Sequence, residues 1–170
     1  GEAFTQCPMT VDHASLLNLL QNVRTDIAAR GLIQDGTAIG MGLANAVSRL
    51  KNSKAKSKVV ILLTDGSNNM GDLSPLTSAQ IAKSFGIRVY TIGVGTNKVA
   101  PYPMPVAGGV QYVKIPVEID TRTLSDIAVT TDGKFYRATN DKELKQIYKE
   151  IDQLEKTKLD VKKFSKRYEA

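Results

Sequence analysis

Tryptophan is missing from this 170-residue chain, and cysteine and histidine occur once each, as Cys7 and His13. A single cysteine excludes an internal disulfide and any zinc site built on several thiolates. A single histidine argues against a histidine-rich metal centre. It leaves a thiol–base pair only if Cys7 and His13 meet. Cys7 precedes Pro8 in what reads as a connector, where a half-buried structural thiol is the commoner role. Aromatic residues make up 6% of the chain, too few to lay out a base-stacking platform. No run of 18 apolar residues occurs, and the first residues lack the basic-then-apolar pattern of a secretory leader. Gly1-Glu2 is an abrupt start without an initiator methionine, so a piece cut from a longer chain is expected.

Enough remains to build a core. Hydrophobic residues are 42% and charged residues 24%, the balance of one globular domain. The net charge of +6 raises the question of nucleic acid. Its densest cluster, Arg49, Lys51, Lys54, Lys56 and Lys58, lies in the polar connection KNSKAKSK rather than on a helix face with interleaved aromatics. A solvated loop is the expectation, and no nucleic-acid partner.

The most telling stretch is KVVILLTDG, residues 58–66. Val59 to Leu63 are apolar without alternation, which reads as a strand buried on both faces, the habit of a central strand in a parallel sheet. Asp65 then stands at the strand's carboxyl end, where open α/β sheets place their ligands. Gly66 lets the chain turn there. A carboxylate in that position binds a hard cation, accepts a phosphoryl group, or serves only as a turn residue.

Around this strand the pattern alternates. Residues 1–10 read as a strand end and loop. Thr10 caps a helix whose apolar side is Leu16, Leu17, Leu19, Leu20 and Val23. A connection covers 24–35, and a helix runs from about Thr37 to Leu50. Ser74-Pro75 starts a helix carrying Ala79, Ile81, Ala82 and Phe85, which Gly86 ends in the left-handed conformation. RVYTIGVG, residues 88–95, is the next strand, completing one right-handed crossover. The prolines at 101, 103 and 105 and the pair Gly108-Gly109 mark an inserted hairpin over 97–117. Asp120 caps a short helix, residues 134–138 form the last strand, and Asn140 with Glu143 is spaced as a capping box. The final helix is long, on the order of 25 residues, with its first half expected to dock and the part beyond Lys156 to project. The fold class is therefore α/β, a doubly wound, mostly parallel Rossmann-like sheet.

Two loops carry chemistry. DGTAIG, residues 35–40, sits at a helix N-terminus with Gly36 making the turn and Thr37 offering a hydroxyl. TDG, residues 64–66, ends the strand with Asp65. In an open sheet these loops meet on one edge. A carboxylate and a hydroxyl are oxygen donors that suit Mg²⁺, Ca²⁺ or Mn²⁺ rather than zinc. Two protein ligands alone make a weak site. Asn68 and Asn69 are open to two roles, donating to a bound ligand or shaping the turn.

Gly36-Thr37 before an apolar helix, VVILLTDG, and VYTIGVG resemble the von Willebrand factor A domain. QCPMT, SKVVILLTDGSNN, AKSFGIRVYTIGVG and APYPMP extend the likeness, over nearly the whole chain, to the bacterial aerotolerance (Bat) class. The resemblance implies a metal-ion-dependent adhesion site whose second loop supplies Thr37 and whose third supplies Asp65. The family's first loop, Asp-x-Ser-x-Ser, has no match here. Asp72 and Ser74 have the wrong spacing and neighbours to replace it. On this likeness residues 1–156 form a partial A domain lacking its N-terminal strands, and 157–170 continue the last helix towards a membrane anchor outside the chain. The family's first strand would pair beside 58–64, so the likeness implies an exposed edge there, open to homodimerisation or strand swapping. It implies recognition rather than catalysis: Mg²⁺ (or Ca²⁺ or Mn²⁺), weak or absent here, bridges to an acidic residue of another protein, a Bat-operon partner. The implied location is the bacterial inner membrane with the domain facing the periplasm. Two rival readings stay open. One is a structural assembly module with a vestigial cation site. The other is an Mg-dependent phosphoryl-transfer enzyme using Asp65, for which the Asp-x-Asp pattern and a well-placed lysine are missing.

Overall fold

The computed structural model describes residues 1–23, 31, 34, 36–95, 99–116 and 119–168. The elements in order are α1 (His13–Gln21), α2 (Ile39–Leu50), β1 (Lys58–Thr64), α3 (Pro75–Ser84), β2 (Ile87–Val94), β3 (Val99–Val106), β4 (Gly109–Pro116), α4 (Thr121–Thr130), β5 (Phe135–Ala138) and α5 (Asp141–Tyr168). The expected connection at 24–35 falls mostly outside the described residues.

β1, β2 and β5 form a three-stranded parallel sheet in the order β1-β2-β5. The register is direct, with Val60 beside Val89 and Leu63 beside Ile92. Alternation along the strands sends side chains to two cores. On one face Val60, Leu62 and Val89 pack with Leu43 and Val47 of α2, Ala79 and Ala82 of α3, and Leu124 and Ile127 of α4. On the other, Tyr90, Ile92, Tyr136 and Ala138 meet Ile147 and Ile151 of α5. This is the doubly wound α/β arrangement that the sequence predicts.

β1 is where the reading from sequence needs correcting. Its apolar run suggests a central strand, yet among the described residues it pairs on one side only. Ile61 and Leu63 are 36% and 47% exposed: among the described residues α5 covers β2 and β5 and reaches β1 at Val59. The edge implied by the family likeness is there.

The helices follow their signals with small shifts. α1 begins after Asp12, whose carboxylate accepts from Ser15 N–H at 3.0 Å, rather than after Thr10. None of its residues is buried, so its leucine face has no partner among the described residues. α3 has its proline at the first helical positions, but its inner side is Ser78, Ala79 and Ala82, and Ile81 and Phe85 face outward. Small residues let α2 and α3 come together: a Cβ on Gly40 would sit 1.9 Å from Leu73 O, and Ser78 Oγ donates to Gly40 O at 2.7 Å. Gly86 is left-handed at φ 64°, as its position after α3 requires.

The prolines of β3 alternate at 101, 103 and 105 within an antiparallel pair with β4. Period-two geometry puts their missing donors on a single side, which blocks a third strand there. The hairpin stays a two-stranded sheet. α5 spans 28 residues. Its first turn is boxed by Asn140 Oδ1, accepting from Glu143 N–H at 2.9 Å, while the Glu143 carboxylate accepts from Thr139 N–H at 2.7 Å.

Two carboxylates tie α5 to the sheet. Glu155 accepts from Arg88 Nη1 at 2.6 Å, from Ser57 Oγ at 2.7 Å and from the Tyr90 hydroxyl. Glu150 accepts from Lys134 Nζ at 2.7 Å and Tyr136 Oη at 2.9 Å.

Candidate functional site

The site is built from two loops at the carboxyl end of the sheet. β1 delivers the first. Thr64 is buried, and its hydroxyl accepts from Gly66 N–H at 3.2 Å, a local turn bond that ends the strand. Asp65 is left exposed at the rim. The second loop, residues 36–38, leads into α2. Gly36 takes φ 118°, a conformation that side chains rarely adopt.

The structure brings the Thr37 hydroxyl beside the residue that follows Asp65. A Cβ on Gly66, the residue after Asp65, would lie 3.2 Å from Thr37 Oγ1. Glycine at 66 therefore makes room for the threonine hydroxyl beside the aspartate loop. Asp35 lies outside the described residues. Asp72 is exposed on the 71–73 loop. Among the described residues no cluster of three or more histidine, cysteine, aspartate or glutamate side chains forms. A hydroxyl and a carboxylate are hard oxygens, of the kind that small divalent cations take.

Asn68 and Asn69 are the residues whose part the sequence left undecided. Asn69 Oδ1 accepts from Thr37 N–H at 2.7 Å. Asn68 Oδ1 accepts from Ile39 N–H at 2.7 Å and Gly40 N–H at 3.3 Å. In return Thr37 O accepts from Asn69 N–H at 3.0 Å and Met70 N–H at 3.1 Å. The N-cap residue of α2, Ala38, has no side-chain oxygen, so the helix takes its cap from the neighbouring loop. The available signal was negative: a helix start without its own capping side chain needs an acceptor from elsewhere.

This wiring also occupies the start of α2. Helix N-termini hold phosphate with free N–H groups. At α2 the N–H groups of residues 37, 39 and 40 are already engaged by asparagine oxygens.

The rest of the surface offers less chemistry. An open cleft of about 620 Å³ lies between residues 2–9 and α2, lined by Phe4, Cys7, Ala46 and Leu50 among others. Cys7 Sγ donates to Pro8 O at 3.2 Å, and His13 is exposed at the start of α1. The Gly1 nitrogen donates to Gln34 O at 2.6 Å. No described helix is long and apolar enough to cross a membrane.

Comparison with known proteins agrees with this architecture. The model of the von Willebrand factor type A domain matches residues 2–150. Among solved structures, the conserved hypothetical protein BatB from Bacteroides thetaiotaomicron superposes with a TM-score of 0.70 at 27% identity, over 92% of this chain and 76% of its own. An aerotolerance-related membrane protein from Bacteroides fragilis gives 0.68 at 27% identity, over 90% and 75%. Proximal thread matrix protein 1 of the mussel byssus, with a zinc-occupied MIDAS motif, gives 0.62 at 26% identity, over 90% and 32%. An uncharacterised protein of Borreliella burgdorferi is 29% identical over 108 residues, 63% of this chain. The chain spans about a third of the length of the curated relatives it matches.

Proposed function

The chain belongs to the von Willebrand factor type A family, and from that premise we propose that it is a protein-recognition module rather than an enzyme. In this reading Thr37 and Asp65 hold a divalent cation, and an acidic residue of another protein completes its coordination. The observation that carries the reading is the Thr37 hydroxyl lodged against the glycine that follows Asp65. A dehydrated divalent ion attracts an anionic oxygen far more strongly than a neutral one, so the preferred partner group is a carboxylate. Mg²⁺ is the preferred ion, with Ca²⁺ or Mn²⁺ acceptable to the same donors.

Affinity for the ion is low in this chain. Two protein oxygens are few, and the net charge is +6. The likeness to BatB and to an aerotolerance-related membrane protein supports Bat-operon partners, and a place on the bacterial inner membrane facing the periplasm. On the same likeness residues 1–156 are the recognition domain, and 157–170 lead towards an anchor.

A second reading, structural assembly with a vestigial cation site, is favoured by one observation. The open edge of β1, with Ile61 and Leu63 exposed, is suited to pairing or strand swapping with a second copy. Titration with Mg²⁺ and Mn²⁺, by calorimetry and by Mn²⁺ relaxation of the protein's amide signals, separates the two. The cation reading expects saturable binding that Asp65→Ala abolishes and Thr37→Ala weakens by about tenfold or more. Binding that ignores both substitutions removes it, and partner capture that survives Asp65→Ala favours assembly.

A further inference from the structure

We infer that Asn68 and Asn69 are positioning residues of the candidate site, their carboxamide oxygens fixing where the Thr37 hydroxyl stands relative to Asp65. The consequence for ion binding rests on the cation reading above; the geometry does not.

Thr37 lies on a loop with little to hold it in place by itself. Its neighbours are Gly36, at φ 118°, and Ala38, an N-cap residue without a capping oxygen. The 68–70 loop supplies what is missing from both sides of the Thr37 residue. Asn69 Oδ1 takes the Thr37 N–H, while the Asn69 and Met70 N–H groups take Thr37 O. Asn68 Oδ1, bridging the N–H groups of Ile39 and Gly40, anchors the first turn of α2 to the same loop. Because only Ser67 separates residues 68–70 from Asp65 and Gly66, these bonds set the spacing of the two site loops. Gly36 belongs to the same device: a Cβ there would stand 2.9 Å from Asn69 Oδ1 and 2.3 Å from Met70 Cγ. Only glycine lets the carboxamide come so near.

Both acceptors are carboxamides, so they cap without adding charge. Aspartate in either place keeps the accepting oxygen, and alanine deletes it. The conservative variant is therefore a rescue, and the deletion is the lesion.

The test uses the full chain, with amide hydrogen exchange read at Thr37, Ile39 and Gly40, and Mn²⁺ affinity and thermal midpoint measured on the same samples. Asn69→Ala is expected to speed exchange at Thr37 and to weaken Mn²⁺ by about tenfold, as loss of an outer support of a metal ligand does. Asn68→Ala is expected to speed exchange at Ile39 and Gly40. Asn69→Asp restores Thr37 protection, read by exchange alone because the added carboxylate itself attracts the ion. Exposed Asn52→Ala is the control and leaves all three amides unchanged. The inference is overturned if Thr37 exchange in Asn69→Ala equals wild type, or if Asn69→Asp fails to restore it. It is equally overturned if the loss of Mn²⁺ affinity appears in Asn52→Ala or merely follows the thermal midpoint. If Asn69→Ala does not fold, Asn69→Ser makes the same comparison, since its hydroxyl stops short of the Thr37 N–H. Should wild type and Asp65→Ala bind Mn²⁺ alike, the cation reading fails, and the exchange data alone then uphold or sink the positioning.

Discussion

β1 and β2 lie side by side in parallel register from Lys58 with Ile87 to Thr64 with Gly93, and both are rich in β-branched and aliphatic residues. Their surroundings differ. Val89, Tyr90, Thr91 and Ile92 are buried, whereas Ile61 and Leu63 are half open to solvent. β2 has a strand on each edge and helices over each face. Among the described residues β1 has β2 on one edge, α2 beneath, and little above Ile61 and Leu63. Apolar composition makes a segment a strand; its neighbours decide whether that surface is removed from water. The contrast also divides labour, since the buried strand holds the fold while the open one presents Asp65.

The sharpest way to break this comparison is to truncate matched residues on the two strands. Ile92→Ala deletes a fully buried side chain from the core that α5 closes, and is expected to cost about 3–4 kcal/mol in urea unfolding. Ile61→Ala removes a side chain already 36% exposed and is expected to cost about 1 kcal/mol or less. Equal losses would mean that β1 is covered in solution. Sedimentation would then identify a second copy of the chain as the cover.

A smaller effect is expected at the carboxylate that fastens α5. Glu155 and Arg88 have side chains only 13% and 19% exposed. Glu155→Ala strands the guanidinium, whose Nε is already buried without a partner among the described residues. The expected loss is about 2–3 kcal/mol, below that for fully buried pairs because some water reaches both groups. The double variant Arg88→Met/Glu155→Leu should recover most of it, since no charge is then left unpaired. A double variant as unstable as Glu155→Ala would mean that the pair, not the packing, fixes α5.

Much of this was readable in the residues. Strand, helix and turn signals at 58–66, 74–86, 88–95 and 140–143 name their elements because each rests on local chemistry: a proline start, a glycine exit, a capping box. Thr37 and Asp65 came from loop position, and the structure sets the Thr37 hydroxyl beside Gly66, the residue after Asp65. What could not be read depends on the third dimension. The apolar run 59–63 does not say how many strands flank it, so the edge placement of β1 emerges only from the sheet or from family likeness. The leucines of α1 promise a buried face that no described element supplies. Nothing local distinguishes an asparagine that turns its own loop from one that caps a helix 28 or 29 residues away, as Asn68 does for Gly40 and Ile39.

Protonating Glu155 is a gentler perturbation than deleting it, and separates the latched side of the sheet from the open one by pH. Burial works against the ionised carboxylate, but hydrogen bonds from Tyr90, Ser57 and Arg88 outweigh it and hold its pKa below the ordinary glutamate value. A depressed folded pKa gives stability that is present above the unfolded value and lost as pH falls through the folded one. The Tyr90 hydroxyl moves oppositely: burial first, then the adjacent Glu155, push it up to about 12. That stabilisation is complete below the unfolded tyrosine value near 10 and drains away as pH rises towards 12. Thermal midpoints across pH 2–12 should thus fall at both ends. Capping carboxylates such as Asp120 and Glu143, also held low by hydrogen bonds from Thr123 and Thr139, add to the acid limb. Glu155→Gln isolates the latch, because glutamine keeps the volume and an acceptor but does not titrate. Its acid limb should be shallower than that of wild type by less than the loss seen in Glu155→Ala, since a protonated Glu155 still accepts from Ser57 and Tyr90. Coincident acid limbs would show that Arg88 and Glu155 are not coupled in solution.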